Sequence, residues 1–317
     1  MKKHDTPHHN FHSITAAHRA LDLPDPKHPL ISLINGCSGC ATDIATDRMA
    51  GSHVLSFYKI SYKPKLSGNL KYGQRYYDFD GGGLLFAAPG QVIGPGRDGG
   101  EDVEAEARSR YTLLIHPDFF LGYPLAKKIK QYGFFSYSVY ETLHLSDEEK
   151  ETIISIFSMI EKELESRIDD LSQDVVVSQV ELLLNFANRF YKRQFITRKA
   201  ANNDLLTKLE ELLDTYFNDD SLLRKGVPSV AWLAAQLNLS PSYLSDMLRS
   251  LTGRNAQQQI HDRVIGKAKE MLTTTDLSIS EVAYALGFEY SQSFSKLFKR
   301  EMKMSPVEFR GSFDQAV

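Results

Sequence analysis

Two groups of side chains in this sequence have types and spacings suited to chemistry. Cys37-Ser38-Gly39-Cys40 is a C-x-x-C pair, the spacing used by zinc sites and by dithiol redox pairs. No second C-x-x-C completes a zinc tetrad, and the N-terminal histidines His4, His8, His9, His12 and His18 would supply ligands only if that tail folds back. Two plain loop thiols and a redox-sensing pair both remain open. The second group is built for hydrogen bonding. Ser242, Ser245, Asp246 and Arg249 recur at i, i+3, i+4 and i+7, and Ser291, Gln292, Ser295, Lys296 and Lys299 form a similar stripe. Such a stripe suits flat polar edges: Gln pairs bidentately with adenine, Lys donates to guanine O6 and N7, and Asp accepts from cytosine N4.

These stripes need helices that present them, and an internal repeat supplies them. Val230 to Leu239 (VAWLAAQLNL) aligns with Ile279 to Phe288 (ISEVAYALGF) at an offset of 49. Ser278 with Glu281 forms a capping box, and Ser229 takes the corresponding place in the first copy. Each short helix then meets Asn238 or Gly287, residue types that tolerate the left-handed backbone of a sharp turn. A second helix follows. In the first copy Ser240 is its N-cap and Pro241 its first residue, with Leu244, Met247, Leu248 and Leu251 as the apolar stripe; in the second, Phe294, Leu297 and Phe298 play that part. Ala234 and Ala283 give the close approach that the second helix needs. A linking helix carries Ile260, Val264, Ile265, Ala268, Met271 and Leu272 on one side. Two helices joined by a short turn make a helix-turn-helix, whose second helix enters the DNA major groove. A single copy is a common hairpin, but two in register are far more specific.

Residues 278–310, SISEVAYALGFEYSQSFSKLFKREMKMSPVEFR, resemble the C-terminal signature of AraC-type (AraC/XylS) transcriptional regulators, and the resemblance extends back to about Leu205. It implies base contacts at Ser242, Ser245, Asp246, Ser291, Gln292 and Lys296. Asp246 departs from the larger or basic side chains frequent there, which predicts a weaker first copy. Arg249 and Ser295 complete the stripes; Arg263, Lys267, Lys299 and Arg300 are expected at phosphates, which give salt-dependent affinity without sequence information. Two recognition helices on one rigid linker predict sub-sites about one helical turn apart, roughly 10–10.5 bp. RNA polymerase is the further partner implied.

Residues 30–200 resemble, less sharply, the effector-binding half of such regulators: a cupin-like β-barrel followed by a helical pair that commonly dimerises. The pattern agrees, with short apolar runs (HPLISLI, HVLSFYKISY, QRYYDFD, GGGLLFAAPGQVIG, RYTLLIHP) broken by glycine and proline. Beyond Pro117 helical spacing takes over. Ser146 to Glu149 is a capping box leading into Ile153, Ile156, Phe157, Ile160 and Leu164, and Val176, Val180, Leu183, Leu184, Ala187 and Phe190 make a second stripe. The expected architecture is α+β multidomain: a loose His-rich tail (1–28), a barrel sensor (29–145), a helical dimerisation segment and linker (146–204), and a DNA-binding domain (205–317) with helix-turn-helix units at 229–251 and 278–301.

A small-molecule effector inside the barrel would meet aromatic walls, for which Tyr58, Tyr62, Tyr76 and Phe79, with Tyr72 and Tyr77, are the candidates. A metal cupin needs converging histidines, and the barrel offers only His53 and His116 without an H-x-H pair, so no metal, cofactor or catalysis is expected. The alternatives to an effector-responsive activator are a redox sensor using Cys37 and Cys40 and a constitutive regulator whose N-terminal half only dimerises.

Charge first argues against nucleic acid: 37 Lys and Arg against 40 Asp and Glu give −3. From Ser221 onward, however, 12 basic residues face 9 acidic ones, net +3, and the first 220 residues hold 25 against 31, net −6. No run approaches the ~18 apolar residues of a membrane span and no signal peptide opens the chain, so a cytoplasmic protein is expected, and the helical pair of the dimerisation segment implies a homodimer.

Overall fold

The short apolar runs between turns form strands that, among the described residues, do not close on one another. In the computed structural model, residues 9–36, 53–64, 70–72, 75–77, 82–93, 109–138, 141–166, 171–197, 199–219 and 226–314 are described. They divide into one unit ending at Gln194 and another beginning at Phe195. The first holds β1 (His9–Phe11), β2 (Ile31–Asn35), β3 (His53–Leu55), β4 (Tyr58–Lys63), β5 (Leu70–Tyr72), β6 (Arg75–Tyr77), β7 (Gly83–Ala87), β8 (Val92–Ile93), β9 (Tyr111–Ile115) and β10 (Leu143–His144). Five of them form an antiparallel sheet in the order β10-β7-β4-β9-β2, β1-β3-β8 form a second sheet, and β5-β6 a hairpin. Among the described residues the main sheet is open, so the closure expected of a cupin-like β-barrel is not seen there. Its edges, β10 and β2, end the order without pairing to each other.

Register sorts the side chains of the main sheet. Tyr62 lies opposite Tyr111 and Leu84, and Ile60 opposite Leu113 and Phe86, so these residues share one face with Tyr58 and Ile115. That face is filled by rings from the helical segments: Tyr58 meets Phe135 at 5.0 Å, Phe86 meets Phe134 at 4.5 Å, and Tyr111 stacks on Phe157 at 5.2 Å. The other face carries Ser32, Ile34, Ser61, Thr112 and Leu114, all buried, with the Ser61 and Thr112 hydroxyls 3.2 Å apart.

The expected loose tail is ordered from His9 onward. β1 pairs in parallel with β3, and Ser13 caps α1 (Ile14–Ala20) by accepting from Ala16 N–H at 3.1 Å. Phe11, Ile14 and Ala17 join Ile34, Leu55, Phe57 and Leu114 in a core cluster, a spacing hidden in the sequence by the histidines around it. Each buried Phe, Ile or Leu side chain among them contributes roughly 1.5–3 kcal/mol.

Past the one-turn α2 (Leu125–Lys128) come α3 (Asp147–Glu165) and α4 (Ser172–Thr197). Ser146 and Glu149 cap α3 reciprocally, and Arg193 of α4 donates to both Glu149 carboxylate oxygens, at 2.9 and 2.6 Å. The apolar stripes read from sequence, Ile153 to Ile160 and Val176 to Phe190, are already buried within this unit. The unit division falls within the boundary stretch expected from Arg193 to Asp204, and the backbone there is helical: α4 runs to Thr197 and α5 (Lys199–Asn218) starts two residues later.

The second unit is helical in its described residues. After α5 come α6 (Val230–Gln236), α7 (Pro241–Thr252), α8 (Ala256–Thr274), α9 (Ile279–Ala285), α10 (Ser291–Met302) and α11 (Pro306–Asp314). Leu233, Ala234, Tyr243, Leu244, Met247 and Leu248 form the first buried group; Val282, Ala283, Leu286, Phe294, Leu297 and Phe298 form the second. Helix α8 packs against both, through Ile260, Val264, Ile265, Ala268 and Leu272.

Candidate nucleic-acid interface

Each helix-turn-helix is set by local chemistry. Ser229 caps α6 by accepting from Trp232 N–H at 3.1 Å, and Ser240 caps α7 from Tyr243 N–H at 3.2 Å, with Pro241 at the first position. Ser278 and Glu281 box the start of α9. The backbone N–H and hydroxyl of Ser278 hold the Glu281 carboxyl below the usual carboxylate range. The turns fall on left-handed residues, Asn238 at φ 55° and Gly287 at φ 84°. Asn255 and Gln258 form a further capping box on α8 that the N-x-x-Q spacing alone would have revealed.

α10 differs from its neighbours. Its N-cap is Tyr290, which has extended backbone but no side-chain bond to the helix, and the ring is 62% exposed. At the other end the C-cap is Lys303 at φ 63°, where α7 uses Gly253 at φ 75°.

The two reading faces carry different chemistry. On α10, Gln292, Lys296 and Lys299 are exposed and Ser291 and Ser295 half-buried, on the side opposite Phe294, Leu297 and Phe298. No hydrogen bond or ion pair engages the Gln292, Lys296 or Lys299 side chains among the described residues, so their donors and acceptors face solvent. On α7, Ser242, Ser245 and Asp246 are half-buried and Arg249 is exposed. Arg249 donates to Asp246 at 3.1 Å, so the sequence-predicted reader and its neighbour neutralise each other.

The expected phosphate contacts separate. Lys299 and Arg300 sit beside Lys296 on α10. Arg300 is engaged: its Nε donates to Glu301 at 2.9 Å, and one of its terminal nitrogens reaches His261 Nδ1 at 3.1 Å. Arg263 and Lys267 instead line a cleft of about 510 Å³ between α5 and α8, floored by Leu209, Leu213 and Phe217. There Arg263 pairs with Asp214, and Lys267 with Glu270 at 3.1 Å. Both cations expected at phosphates are thus ion-paired in this structure, Arg263 to a carboxylate from α5 that spacing along α8 could not foretell.

The effector-pocket candidates fare differently. Tyr58 and Tyr62 are buried on the ring-filled face of the main sheet, where burial raises both phenol pKa values, so they are core residues rather than pocket walls. Phe79, Cys37 and Cys40 lie outside the described residues, as do the side chains of Tyr72, Tyr76 and Tyr77. His116 accepts from Asp118 N–H at 3.3 Å as a helix cap, and His53 is buried. Among the described residues no group of three His, Cys, Asp or Glu side chains could hold a metal, and no helix is long and apolar enough to cross a membrane.

Comparison with known proteins places this geometry. Residues 233–312 match a family described as a helix-turn-helix domain. The chain is 30% identical over 157 residues to the HTH-type transcriptional activator RhaS of Salmonella schwarzengrund, covering 49% of this chain and 53% of that one. It thus spans about half the length of the curated relatives it matches. Among solved structures, the C-terminal domain of the response regulator yesN from Fusobacterium nucleatum is 26% identical over 34% of this chain and 98% of that one, with a TM-score of 0.30. The DNA-binding domain of AdpA, solved with a target DNA, is 27% identical over 34% of this chain and 94% of that one, also with a TM-score of 0.30.

Proposed function

We propose that the whole chain is a sequence-specific DNA-binding transcriptional regulator of the AraC type, a reading supported by the match of residues 233–312 to a helix-turn-helix domain and by the likeness to RhaS. The observation that carries this reading is the pair of helix-turn-helix units built on α8, each with a polar solvent-facing side on its second helix. Helices α7 and α10 enter successive major grooves about one helical turn apart, roughly 10–10.5 bp. Base discrimination falls mainly to Gln292 and Lys296, whose side chains are free to pair with base edges, and less to Asp246 and Arg249, whose charges already cancel. Lys299 and Arg300 meet phosphate.

The protein acts as an effector-responsive activator that binds DNA as a homodimer and contacts RNA polymerase. For the dimer, Met159 on α3 and Val175 and Leu182 on α4 are exposed apolar residues on helices whose inner faces are already satisfied. An effector would meet the sheet face that carries Ser32, Ser61 and Thr112, since the Tyr58 and Tyr62 face is filled.

Selection of duplexes from a randomised pool by the full chain, followed by footprinting, tests the central claim. A recovered motif with two protected sub-sites about one turn apart supports it; recovery of unenriched sequence overturns it.

A further inference from the structure

Gln257, His261 and Arg300 form a hydrogen-bonded chain that links the scaffold helix to the second recognition helix. Gln257 and His261 lie one turn apart on α8 and so share a side of it. The Gln257 amide is 2.8 Å from His261 Nε2, and the Arg300 guanidinium is 3.1 Å from His261 Nδ1. A guanidinium only donates, so Nδ1 must present its lone pair. The neutral ring then carries its proton on Nε2; the Gln257 amide nitrogen stands 2.8 Å from that atom, so the amide must turn over to offer its oxygen as the acceptor. The Glu301 carboxylate accepts from Arg300 Nε at 2.9 Å and lies 2.9 Å from the same terminal nitrogen that reaches His261. Two donors of the guanidinium are thus fixed, while the side chain as a whole stays 60% exposed.

We infer that His261 is a positioning residue for DNA binding: its imidazole orients the Arg300 guanidinium beside Lys296 and Lys299 toward a phosphate at the rim of the groove that α10 enters. This rests on the DNA-binding reading above. The physical gain lies in rotamer freedom: an unanchored arginine loses it on meeting a phosphate, whereas one already held loses less. The arrangement also requires an uncharged ring. The charged groups facing His261 are Arg300 and Glu301 from α10 and Asp262 on α8, the last bound by Arg254. Burial first, and Arg300 second, lower the pKa of His261, which keeps Nδ1 available as an acceptor at neutral pH.

The test uses the full chain and a duplex recovered by the wild type from a randomised pool. Affinity is measured at several salt concentrations for His261→Ala, His261→Asn, Arg300→Ala and the His261→Ala/Arg300→Ala double variant. His261→Ala is expected to weaken binding about three- to tenfold, the range that follows from freeing one long side chain. His261→Asn, whose amide oxygen can stand where Nδ1 accepts, should restore most of that loss. Arg300→Ala should lower the salt slope by about one. Added to Arg300→Ala, the His261 substitution should cost nothing more. Equal losses from His261→Ala with and without Arg300, or an Asn variant as weak as Ala while its tryptophan fluorescence melt remains native, overturn the assignment. A silent Arg300→Ala on a recovered duplex overturns it too and leaves the DNA-binding reading standing; failure to recover any duplex overturns that reading instead.

Discussion

Lys296 and Arg263 look alike in the sequence, as basic residues on helical stripes, and the structure separates them. Lys296 stands exposed and unpaired on α10, whereas Arg263 meets Asp214 across the α5 and α8 cleft. Lys296→Ala should therefore relax base preference at one position of the selected motif, a discrimination worth roughly 1–3 kcal/mol, with the other positions unchanged. Repeating the selection with the variant checks this, and a motif identical to the wild type's refutes the role. Arg263→Ala, by contrast, should leave the motif intact and act on stability, because it strands the Asp214 carboxylate. Two histidines set the response to acid. Burial lowers the pKa of His28, and burial together with Arg300 lowers that of His261. A histidine with a lowered native pKa binds fewer protons folded than unfolded, so stability is full above the ordinary value near ~6.5 and declines as pH falls below it. Melting temperature should drop between about pH 7.5 and 5.5, and less so in His261→Asn when followed by the single tryptophan, Trp232, which reports on the second unit.

At the scale of the helix, caps and turns were legible and facing was not. Ser229, Ser240, Ser278 and Ser146 are named as caps by their own neighbours in sequence, and all four hold the expected bonds, because capping is decided within three residues. Asn238 and Gly287 take the left-handed backbone for the same local reason. Which side of a strand or helix meets which partner is decided far along the chain. In Tyr58–Lys63 both faces are covered, Tyr58, Ile60 and Tyr62 on one and Ser61 on the other, so alternation could not say which held the core. α10 lacks a capping side chain, since Tyr290 occupies the N-cap with extended backbone already suited to one. Tyr290→Ser should add a hydroxyl acceptor for the amides at the helix start and stabilise the second unit by about 1 kcal/mol. Denaturant unfolding followed by Trp232 fluorescence measures it, and a lower midpoint would mean that the exposed ring contributes more than a cap.

For the molecule as a whole, a net charge of −3 with only +3 from Ser221 onward leaves few spare cations, and the structure reduces them further by pairing Arg249, Arg254, Arg263 and Lys267 with carboxylates. Non-specific affinity, which scales with phosphates neutralised, should be modest. Tight binding at a true site must then come from base readout multiplied by holding two DNA-binding modules together. The buried cores of both helix-turn-helix units lie within residues 195–317, so that piece is expected to fold alone and to select the same base sequence as the full chain. On a duplex with one copy of the selected motif, the piece and the full chain should bind with affinities within a few-fold of each other. On a duplex with two copies the full chain should gain the more, because joining two modules raises effective concentration and commonly adds 10²- to 10⁴-fold without any new contact. Leu182→Glu on α4 should erase that gain, leaving one-copy binding unchanged, if the exposed apolar residues of α3 and α4 join the two chains. Equal enhancement in the wild type, in Leu182→Glu and in the isolated piece would assign cooperativity to the DNA-binding module itself and remove α3 and α4 from the dimer.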